Sequence, residues 1–236
     1  MIQTKQEPST AVYYDRHIYP KLKLTLGLGL NDTPSTVIEW MSCLGIVQTD
    51  NPLKILEIGC GAGRNLKALQ TSFPKSQIFG FDGSPTALTM ARRGLPKVKL
   101  SNGDIYGIWP FQTHFDLIFD ITAGIPESLS QVELHKYVLN LYKSIKPGGY
   151  AIIEAISPND SSSRRFGQGK IVHWVSGKDK KTERLMSLKE ACNLYEKFGF
   201  KVIASRNENF LAEAFGDKVQ REFIQLILQK TDLKIL

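Results

Sequence analysis

The segment that most constrains the fold is a glycine-rich turn between an apolar run and a helical pattern. The apolar run Lys54–Ile58 is followed by glycines at three alternate positions, Gly59, Gly61 and Gly63. Glycine adopts backbone angles that are closed to other residues, and it has no Cβ to stand between the chain and a ligand. We therefore expect a buried strand, a tight turn and a helix whose first N–H groups face a bound molecule.

The rest of the chain alternates short apolar runs with amphipathic stretches, which is typical of βαβ units and a largely parallel sheet. A run such as Leu117–Phe119 is apolar on both faces, as a strand covered by helices on both sides must be. The predicted fold class is α/β, with a seven-stranded, mostly parallel sheet. The expected strands are Lys54–Ile58, Gln77–Asp82, Lys97–Ser101, Phe115–Asp120, Tyr150–Ala155, Lys201–Asn207 and Glu222–Gln229.

Helix signals separate these strands. Ser84-Pro85 offers an N-cap followed by proline at the first helical position. Ser130–Glu133 and Ser187–Glu190 both match the capping box, in which serine and glutamate satisfy each other's backbone donors. Before the first strand, a helix is expected from Thr33-Pro34 to Leu44. The alternating leucines of Leu22–Leu30 fit either a strand or a helical lid.

The length of 236 residues suits one α/β domain. We expect an N-terminal helical or lid segment at 1–50 and a ligand-binding domain at 51–236, with a substrate-side insertion at about 158–186.

No apolar run is long enough to predict a membrane span. Three widely spaced cysteines predict reduced thiols, a cytoplasmic location and no metal site.

Acids follow three successive strands, at the edge where open α/β sheets bind ligands. Glu57 can accept a hydrogen bond from an ammonium group and would repel a pyrophosphate. Asp82 suits ribose hydroxyls, and Asp104 suits an adenine amino group. The glycine order also departs from the dinucleotide fingerprint, because Arg64 stands where that pattern requires glycine. These features favour S-adenosylmethionine over a nicotinamide dinucleotide.

In an ordered run of motifs, the chain resembles the class I S-adenosylmethionine-dependent methyltransferases. The matching pieces are Leu56–Gly63, Gly80–Ser84, Gly103-Asp104, Phe115–Asp120 and Leu141–Gly149. The resemblance implies a Rossmann-like sheet of order 3-2-1-4-5-7-6 with an antiparallel edge, and S-adenosylmethionine as the cofactor. The end of the fourth strand lacks the Asn-Pro-Pro-aromatic pattern of amino-directed DNA, RNA and protein methylases.

The resemblance also suggests roles for single residues. Asp120 would lie beside the reacting sulfonium, and His173 falls in an insertion that often specifies substrate. Tyr14 belongs to a segment that would close over the donor. These three are the catalytic candidates, although His173 and Tyr14 could equally be packing residues. The expected cofactor-binding residues are Glu57, Gly59, Cys60, Gly61, Gly63, Asn65, Asp82, Gly83, Ser84, Asp104, Ile105, Tyr106 and Asp120.

The leading functional hypothesis is methyl transfer to a small molecule by in-line displacement in a lidded pocket. The alternatives are methylation of RNA or protein, or a non-catalytic S-adenosylmethionine-binding partner protein. A monomer or a homodimer is expected.

A basic segment keeps an acidic acceptor and a nucleic acid open. Residues 161–184 hold seven Lys or Arg and two acids, which fits either a solvated loop or a site for an acidic substrate or a phosphate backbone. The cations are Arg164, Arg165, Lys170, Lys178, Lys180, Lys181 and Arg184, with Phe166 and Trp174 as aromatic neighbours.

Overall fold

The structure is a computed structural model, and it describes residues 15–16, 35–45, 51–161, 167–168, 170–176, 179–214 and 217–231. In chain order, the strands are β1 (Lys54–Ile58), β2 (Gln77–Asp82), β3 (Lys99–Asn102), β4 (Phe115–Ile121), β5 (Ile145–Ile156), β6 (Gly167–Gln168), β7 (Ile171–Ser176), β8 (Asp179–Arg184), β9 (Phe200–Ala214) and β10 (Asp217–Lys230).

Seven strands form one sheet of order β3-β2-β1-β4-β5-β10-β9. Strands β1 to β5 pair in parallel, whereas β10 is antiparallel to both β5 and β9. The predicted fold class, strand order and antiparallel edge are therefore confirmed.

Helices cover both faces of the sheet, as the apolar strands require. On one face, a buried cluster joins residues of the first three helices to β1, β4 and β5. On the other face, a larger cluster joins residues of the last two helices to the same strands and to β10. The described helices are α1 (Ser35–Cys43), α2 (Arg64–Ser72), α3 (Pro85–Gly94), α4 (Gly124–Glu127), α5 (Gln131–Ser144) and α6 (Leu188–Lys197).

The local signals in the sequence fold as predicted. The Ser84 hydroxyl caps α3 by accepting from the Ala87 N–H at 3.0 Å. Both capping boxes form, at the start of α5 and at the start of α6. The helix expected before the first strand is α1, and it ends two residues before Gly45.

The structure differs from the prediction after the fifth strand. Strands β9 and β10 run well past their predicted ends and form a two-stranded ribbon beyond the sheet. The basic segment contains a small antiparallel sheet, β6-β7-β8, that was not predicted. In addition, β5 begins at Ile145, so Lys146–Gly149 belongs to the strand, and the pairing with β4 is irregular there.

At the N-terminus, the structure describes Asp15, Arg16 and α1. The leucines of Leu22–Leu30, Tyr13 and Tyr14 lie outside the described residues, and the division of the chain at residue 50 stays a prediction. In the described part of the chain, no helix has the length and apolar character needed to cross a membrane.

Candidate active site

The glycine turn after β1 is held by close packing. Gly59, Gly61 and Gly63 all have positive φ angles, of 62°, 52° and 88°. A Cβ on Gly59 would lie 2.5 Å from the Cβ of Ala123, and one on Gly63 would lie 2.5 Å from Leu95. Larger residues are therefore excluded both by backbone conformation and by space. The turn after β1 packs directly on the turn after β4.

Asp82, at the end of β2, ties this turn to the start of α3. Its carboxylate accepts the N–H of Gly61 at 2.8 Å and the N–H of Ser84 at 2.8 Å. Burial raises the pKa of Asp82, and the two backbone hydrogen bonds work against that rise. Each carboxylate oxygen has more than one lone pair, so both oxygens can still accept from a ligand.

Glu57, in β1, accepts one hydrogen bond from a buried side chain. Its side chain is 3% exposed, and its Oε1 accepts from Asn65 Nδ2 at 2.5 Å. Burial raises its pKa from 4.5 to about 8, although Asn65 and the Arg64 charge act to lower it. Among the described residues, neither Glu57 Oε2 nor Asn65 Oδ1 has a hydrogen-bond partner.

Two buried acceptor atoms without donors are costly unless a ligand supplies the missing N–H groups. An ammonium group has three N–H donors and a positive charge, so it fits both oxygens and favours the ionised form of Glu57. The residues present therefore fit the amino-acid end of S-adenosylmethionine. Contact with that group stays a prediction.

The residues after β3 form the next part of the same edge. Asn102, the last residue of β3, pairs with Asp82 in the sheet register. The Asp104 carboxylate is exposed and accepts the N–H of Tyr106 at 2.9 Å. Ile105 is buried, and Tyr106 packs against the main core. Their predicted contacts with adenine remain predictions.

Asp120, near the end of β4, is fully buried, and both of its carboxylate oxygens accept hydrogen bonds. Its carboxylate accepts the N–H of Ala123 at 2.9 Å and the N–H of Gly124 at 2.9 Å, and it also accepts from the Tyr137 hydroxyl. Burial raises its pKa to about 6, against the effect of these hydrogen bonds. The hydroxyls of Tyr137 and Tyr195 are 3.3 Å apart. Asp120 thus fixes the turn into α4, and its predicted place beside the sulfonium remains untested.

Thr122, within that turn, has a backbone conformation that is unusual for its type. Its φ is +62°, where a β-branched residue is strained. The Thr122 N–H donates to the Glu154 carbonyl at 2.8 Å, which anchors the turn to β5. A Cβ on Gly124 would overlap the Tyr137 ring. Strain of this kind is held by surrounding structure and often marks functional sites. No sequence pattern predicted this conformation.

A row of polar side chains continues along the sheet edge from β5. Glu154 Oε2 accepts from Gln225 at 2.7 Å, and Gln225 in turn accepts from Arg206 Nε at 2.8 Å. Burial raises the pKa of Glu154, whereas the charges of Arg64 and Arg206 lower it. No sequence pattern predicted this connection from Glu154 to β10 and β9.

The β7–β8 hairpin lies beside α4. Arg184 donates from Nε to the Ser128 carbonyl and from Nη2 to the Leu129 carbonyl at 2.6 Å. His173 is opposite Thr182 in the hairpin, and its Nδ1 lies 3.1 Å from the Thr182 hydroxyl. Because alternate residues of a strand share a face, His173 and Arg184 lie on the same side of the hairpin. The catalytic role predicted for His173 stays a prediction.

Two other cations of the basic segment form ion pairs, one at the surface and one buried. Lys170 forms an ion pair with Glu190, and Lys181 forms a buried ion pair with Glu183. The positive charge of this segment is thus partly neutralised within the fold. Arg164, Arg165, Phe166 and Lys178 lie outside the described residues, as does the side chain of Trp174.

The N-terminal segment reaches the same edge of the sheet. The Asp15 carboxylate accepts from the Ser84 hydroxyl, and its charge contributes to the raised pKa of Asp82. Asp15 therefore lies beside the predicted ribose site. This contact could not be read from the sequence, because nothing in the spacing links positions 15 and 84.

Comparisons with known proteins agree with this geometry. Residues 55–149 match a family model described as a methyltransferase domain. The trans-aconitate 2-methyltransferase of Escherichia coli K12 is 36% identical over 111 residues, which cover 47% of this chain and 42% of that protein. The chain spans less than half the length of the curated relatives it matches.

Solved structures share the fold over nearly the whole chain. An S-adenosylmethionine-dependent methyltransferase from Clostridium acetobutylicum has a TM-score of 0.67 at 17% identity, covering 93% of this chain and 99% of that one. A S-adenosylmethionine-bound amino pentose methyltransferase from Micromonospora echinaspora has a TM-score of 0.59 at 15% identity, covering 96% and 99%. The predicted resemblance is confirmed.

We predict that Glu57→Gln makes stability less sensitive to pH. Because the folded-state pKa of Glu57 lies above its ordinary value of 4.5, the folded state holds an extra proton up to about pH 8. Wild-type stability should therefore fall as pH rises between about 4.5 and 8, when the buried group ionises. Urea unfolding at several pH values in this range should show the free energy of unfolding of Glu57→Gln increasing relative to wild type as pH rises. The exposed Glu39→Gln variant should show no such relative increase. Parallel curves for wild type and Glu57→Gln would contradict the assignment.

We also predict that Tyr137→Phe lowers the free energy of unfolding by about 1–3 kcal/mol, because a buried carboxylate loses one of its donors. Tyr195→Phe is the matched control, since the Tyr195 hydroxyl contacts Tyr137 rather than Asp120. Urea unfolding should show the larger loss for Tyr137→Phe. Equal losses would show that the carboxylate does not depend on the Tyr137 hydroxyl.

Proposed function

We propose that this chain, which carries a class I S-adenosylmethionine-dependent methyltransferase domain, transfers a methyl group to a small-molecule acceptor. The observation that carries the proposal is the pair of buried, unpartnered acceptors Glu57 Oε2 and Asn65 Oδ1 beside the glycine turn. Burying these two atoms is costly unless a ligand supplies hydrogen-bond donors to them.

When bound, S-adenosylmethionine supplies a methyl group on a positively charged sulfur. Glu57 and Asn65 would hold the ammonium group of its amino-acid end, and Asp82 would hold the ribose. Below about pH 8 the free protein carries a proton on Glu57, so binding of a cation there releases that proton. Donor affinity should accordingly rise with pH up to that value.

The turn between β4 and α4 would position the acceptor. Asp120 and Tyr137 hold this turn from inside the core, and Ala123 contacts the glycine turn. Methyl transfer gains most from collinear placement of acceptor, methyl and sulfur, so a rigid turn at this point serves the reaction directly. We therefore assign Asp120 and Tyr137 as positioning residues.

A small carboxylic acid is the acceptor class that we propose. The curated relatives are named as methyltransferases of trans-aconitate. Arg184 lies at α4 with its guanidinium half-buried, and its two carbonyl contacts use two of its five N–H donors. The remaining donors can hold a carboxylate, with His173 on the same face of the hairpin. An anionic oxygen needs no general base, in keeping with the proposed acceptor.

Methylation of RNA is less favoured by the described residues. A phosphate-binding platform needs cations directed at solvent. Lys181 instead forms a buried ion pair with Glu183, and the charge of Lys170 is neutralised by Glu190 at the surface. A non-catalytic role is disfavoured because Glu57, Asp82 and Asp104, the acids proposed to bind S-adenosylmethionine, are all present.

Two further expectations belong to this proposal. The three cysteines, Cys43, Cys60 and Cys192, are free thiols, which supports a reducing, cytoplasmic location. The predicted lid, which includes Tyr14, would close over the S-adenosylmethionine site, on the side where Asp15 contacts Ser84.

The donor site is tested by Asp82→Ala. Loss of the carboxylate should weaken binding of S-adenosylhomocysteine by about 1–3 kcal/mol, because the ribose hydroxyls lose their acceptors. Isothermal calorimetry on the folded variant measures this. Asn102→Ala is the control, since its exposed side chain donates to the Asp82 carbonyl and leaves the carboxylate in place. Unchanged affinity in Asp82→Ala would reject the assignment.

The acceptor class is tested by measuring S-adenosylhomocysteine formation with trans-aconitate, other small di- and tricarboxylic acids, their neutral amides, and RNA. We expect turnover with at least one acid and none with the matched amide. Arg184→Gln should raise KM for the acid roughly tenfold with little change in kcat, because the contact is made equally before and during transfer.

Lys170→Gln is the control within the same segment, because Lys170 is already paired with Glu190. Binding of S-adenosylhomocysteine without turnover of any acid, together with methylation of RNA, would reject a carboxylic acid as the acceptor. The proposed S-adenosylmethionine site would then still stand. Absence of donor binding would reject the whole proposal.

A further inference from the structure

The outer edge of β9 pairs with no strand in the described part of the chain. In the seven-stranded sheet, β9 is the last strand and pairs with β10 on one side, with no strand on the other side among the described residues. An unpaired edge presents backbone N–H and C=O groups that can pair with another strand, and natural proteins usually protect it. Strand β9 contains no proline, and residues 203–207 and 209–211 are exposed.

Pairing of two identical edges has few possible registers. Two copies of one strand pair antiparallel around a two-fold axis perpendicular to the sheet. Side chains that lie opposite each other must share a face of the sheet, so the axis passes through a residue and not between two residues. Residues equally far before and after the axis residue then lie opposite each other.

Charge decides between the central registers. Arg206 and Glu208 flank Asn207 in the middle of the exposed edge. An axis at Arg206 places arginine opposite arginine, and an axis at Glu208 places glutamate opposite glutamate. Arg206 and Glu208 form an ion pair within one chain, with Nε and Oε2 3.0 Å apart, and an axis at Asn207 places this pair against the same pair of the other copy, arginine opposite glutamate. Like charges directly opposite each other destabilise a strand pair and opposite charges stabilise it, so Asn207 is the favoured axis.

The uncharged neighbours are complementary in the same register. Ala204 lies opposite Phe210, a small residue against a large one, and Ser205 lies opposite Asn209. Phe210 stacks on Phe223 with ring centroids 5.5 Å apart, which fixes its ring on the sheet while leaving it 42% exposed.

At the ends of the seam, Ile203 lies opposite Leu211. These two side chains are 41% and 71% exposed, and burying them against each other would remove apolar surface from water. A bulge in the β9–β10 pairing at Ile203 ends the regular stretch there.

We propose that the chain forms a two-fold symmetric homodimer in which the β9 strands of two copies pair antiparallel about Asn207. The main sheet then continues from one copy into the other. The seam is electrically neutral, with one arginine and one glutamate from each copy, although each chain carries a net charge of +7. Complementary charges at the seam are therefore required to offset repulsion between the two chains.

The dimer seam also borders the active-site edge. Arg206 donates to Gln225, and Gln225 donates to Glu154 at the end of β5. In the dimer, Glu208 of the second copy approaches Arg206, at the outer end of this row.

Asn207→Cys tests the axis directly, in a Cys43→Ser background that removes the exposed native thiol. At the axis, the two copies of residue 207 face each other at a Cα separation of about 4.5–5.5 Å, which a disulfide spans. We expect a dimer band on a non-reducing gel after mild oxidation. Ser205→Cys is the control, because its two copies lie roughly 13 Å apart along the strands. Equal cross-linking of the two variants, or none of Asn207→Cys, would overturn the register.

Charge reversal tests the seam. Sedimentation velocity should show the wild type with twice the chain mass and Glu208→Arg as a monomer, because arginines then face arginines. Arg206→Glu should also be monomeric, and an equal mixture of the two variants should restore a dimer.

Leu211→Lys disturbs the seam outside the charge pairs, and Val132→Lys on α5 is its exposed apolar control. A monomeric wild type at all concentrations, or a Glu208→Arg protein that stays dimeric, would reject the dimer. Thermal melting confirms that each variant is folded, and no readout depends on methyl transfer.

Discussion

The desolvation of carboxylates at the carboxyl edge of the sheet is the constraint on which the site depends. Burial raises the pKa of Glu57, Asp82 and Asp120 alike. Hydrogen bonds from the protein act against this rise, and their number differs among the three acids. Asp120 receives backbone and hydroxyl donors and becomes part of the scaffold. Asp82 receives two backbone donors and keeps accessible lone pairs. Glu57 accepts one hydrogen bond, from a side-chain amide. Its second carboxylate oxygen has no donor among the described residues, and a cationic ligand can supply one. The number of protein donors therefore separates Asp120 from Glu57, the acid that we propose binds the ligand.

The same compensation explains how a strained turn persists. Thr122 holds a left-handed conformation because its N–H is bound to the Glu154 carbonyl and the following residues are bound to Asp120. Gly124 is required there because Tyr137 fills the space that a side chain would need. Strain at one residue is thus balanced by hydrogen bonds from two strands and one helix. The result is a fixed surface between the glycine turn and α4.

Much of this fold could be predicted from local pattern. The strands followed from apolar runs, and their order followed from the resemblance to the methyltransferase family. The helix starts followed from Ser84, Ser130 and Ser187, because caps depend on near neighbours in the chain. Contacts between distant positions could not be predicted, and these include the Asp120–Tyr137 and Ser84–Asp15 pairs. The β7–β8 hairpin was missed because its charges suggest a solvated loop. Lys181 and Glu183 are instead buried as a pair two residues apart, which the strand geometry allows.

The extent of the family match indicates which part of the chain selects the acceptor. The matched region ends at residue 149, and it contains the glycine turn, Asp82, Asp104 and Asp120. Glu154, the β7–β8 hairpin with Arg184, and the β9–β10 ribbon all come later in the chain. Donor-binding chemistry is the same for every methyl acceptor, so a shared family pattern is expected in the first region. An acceptor must be distinguished from its competitors by groups that contact it alone. We therefore propose that acceptor specificity in this chain is determined after β4, where Arg184 of the hairpin contacts the residues that follow α4.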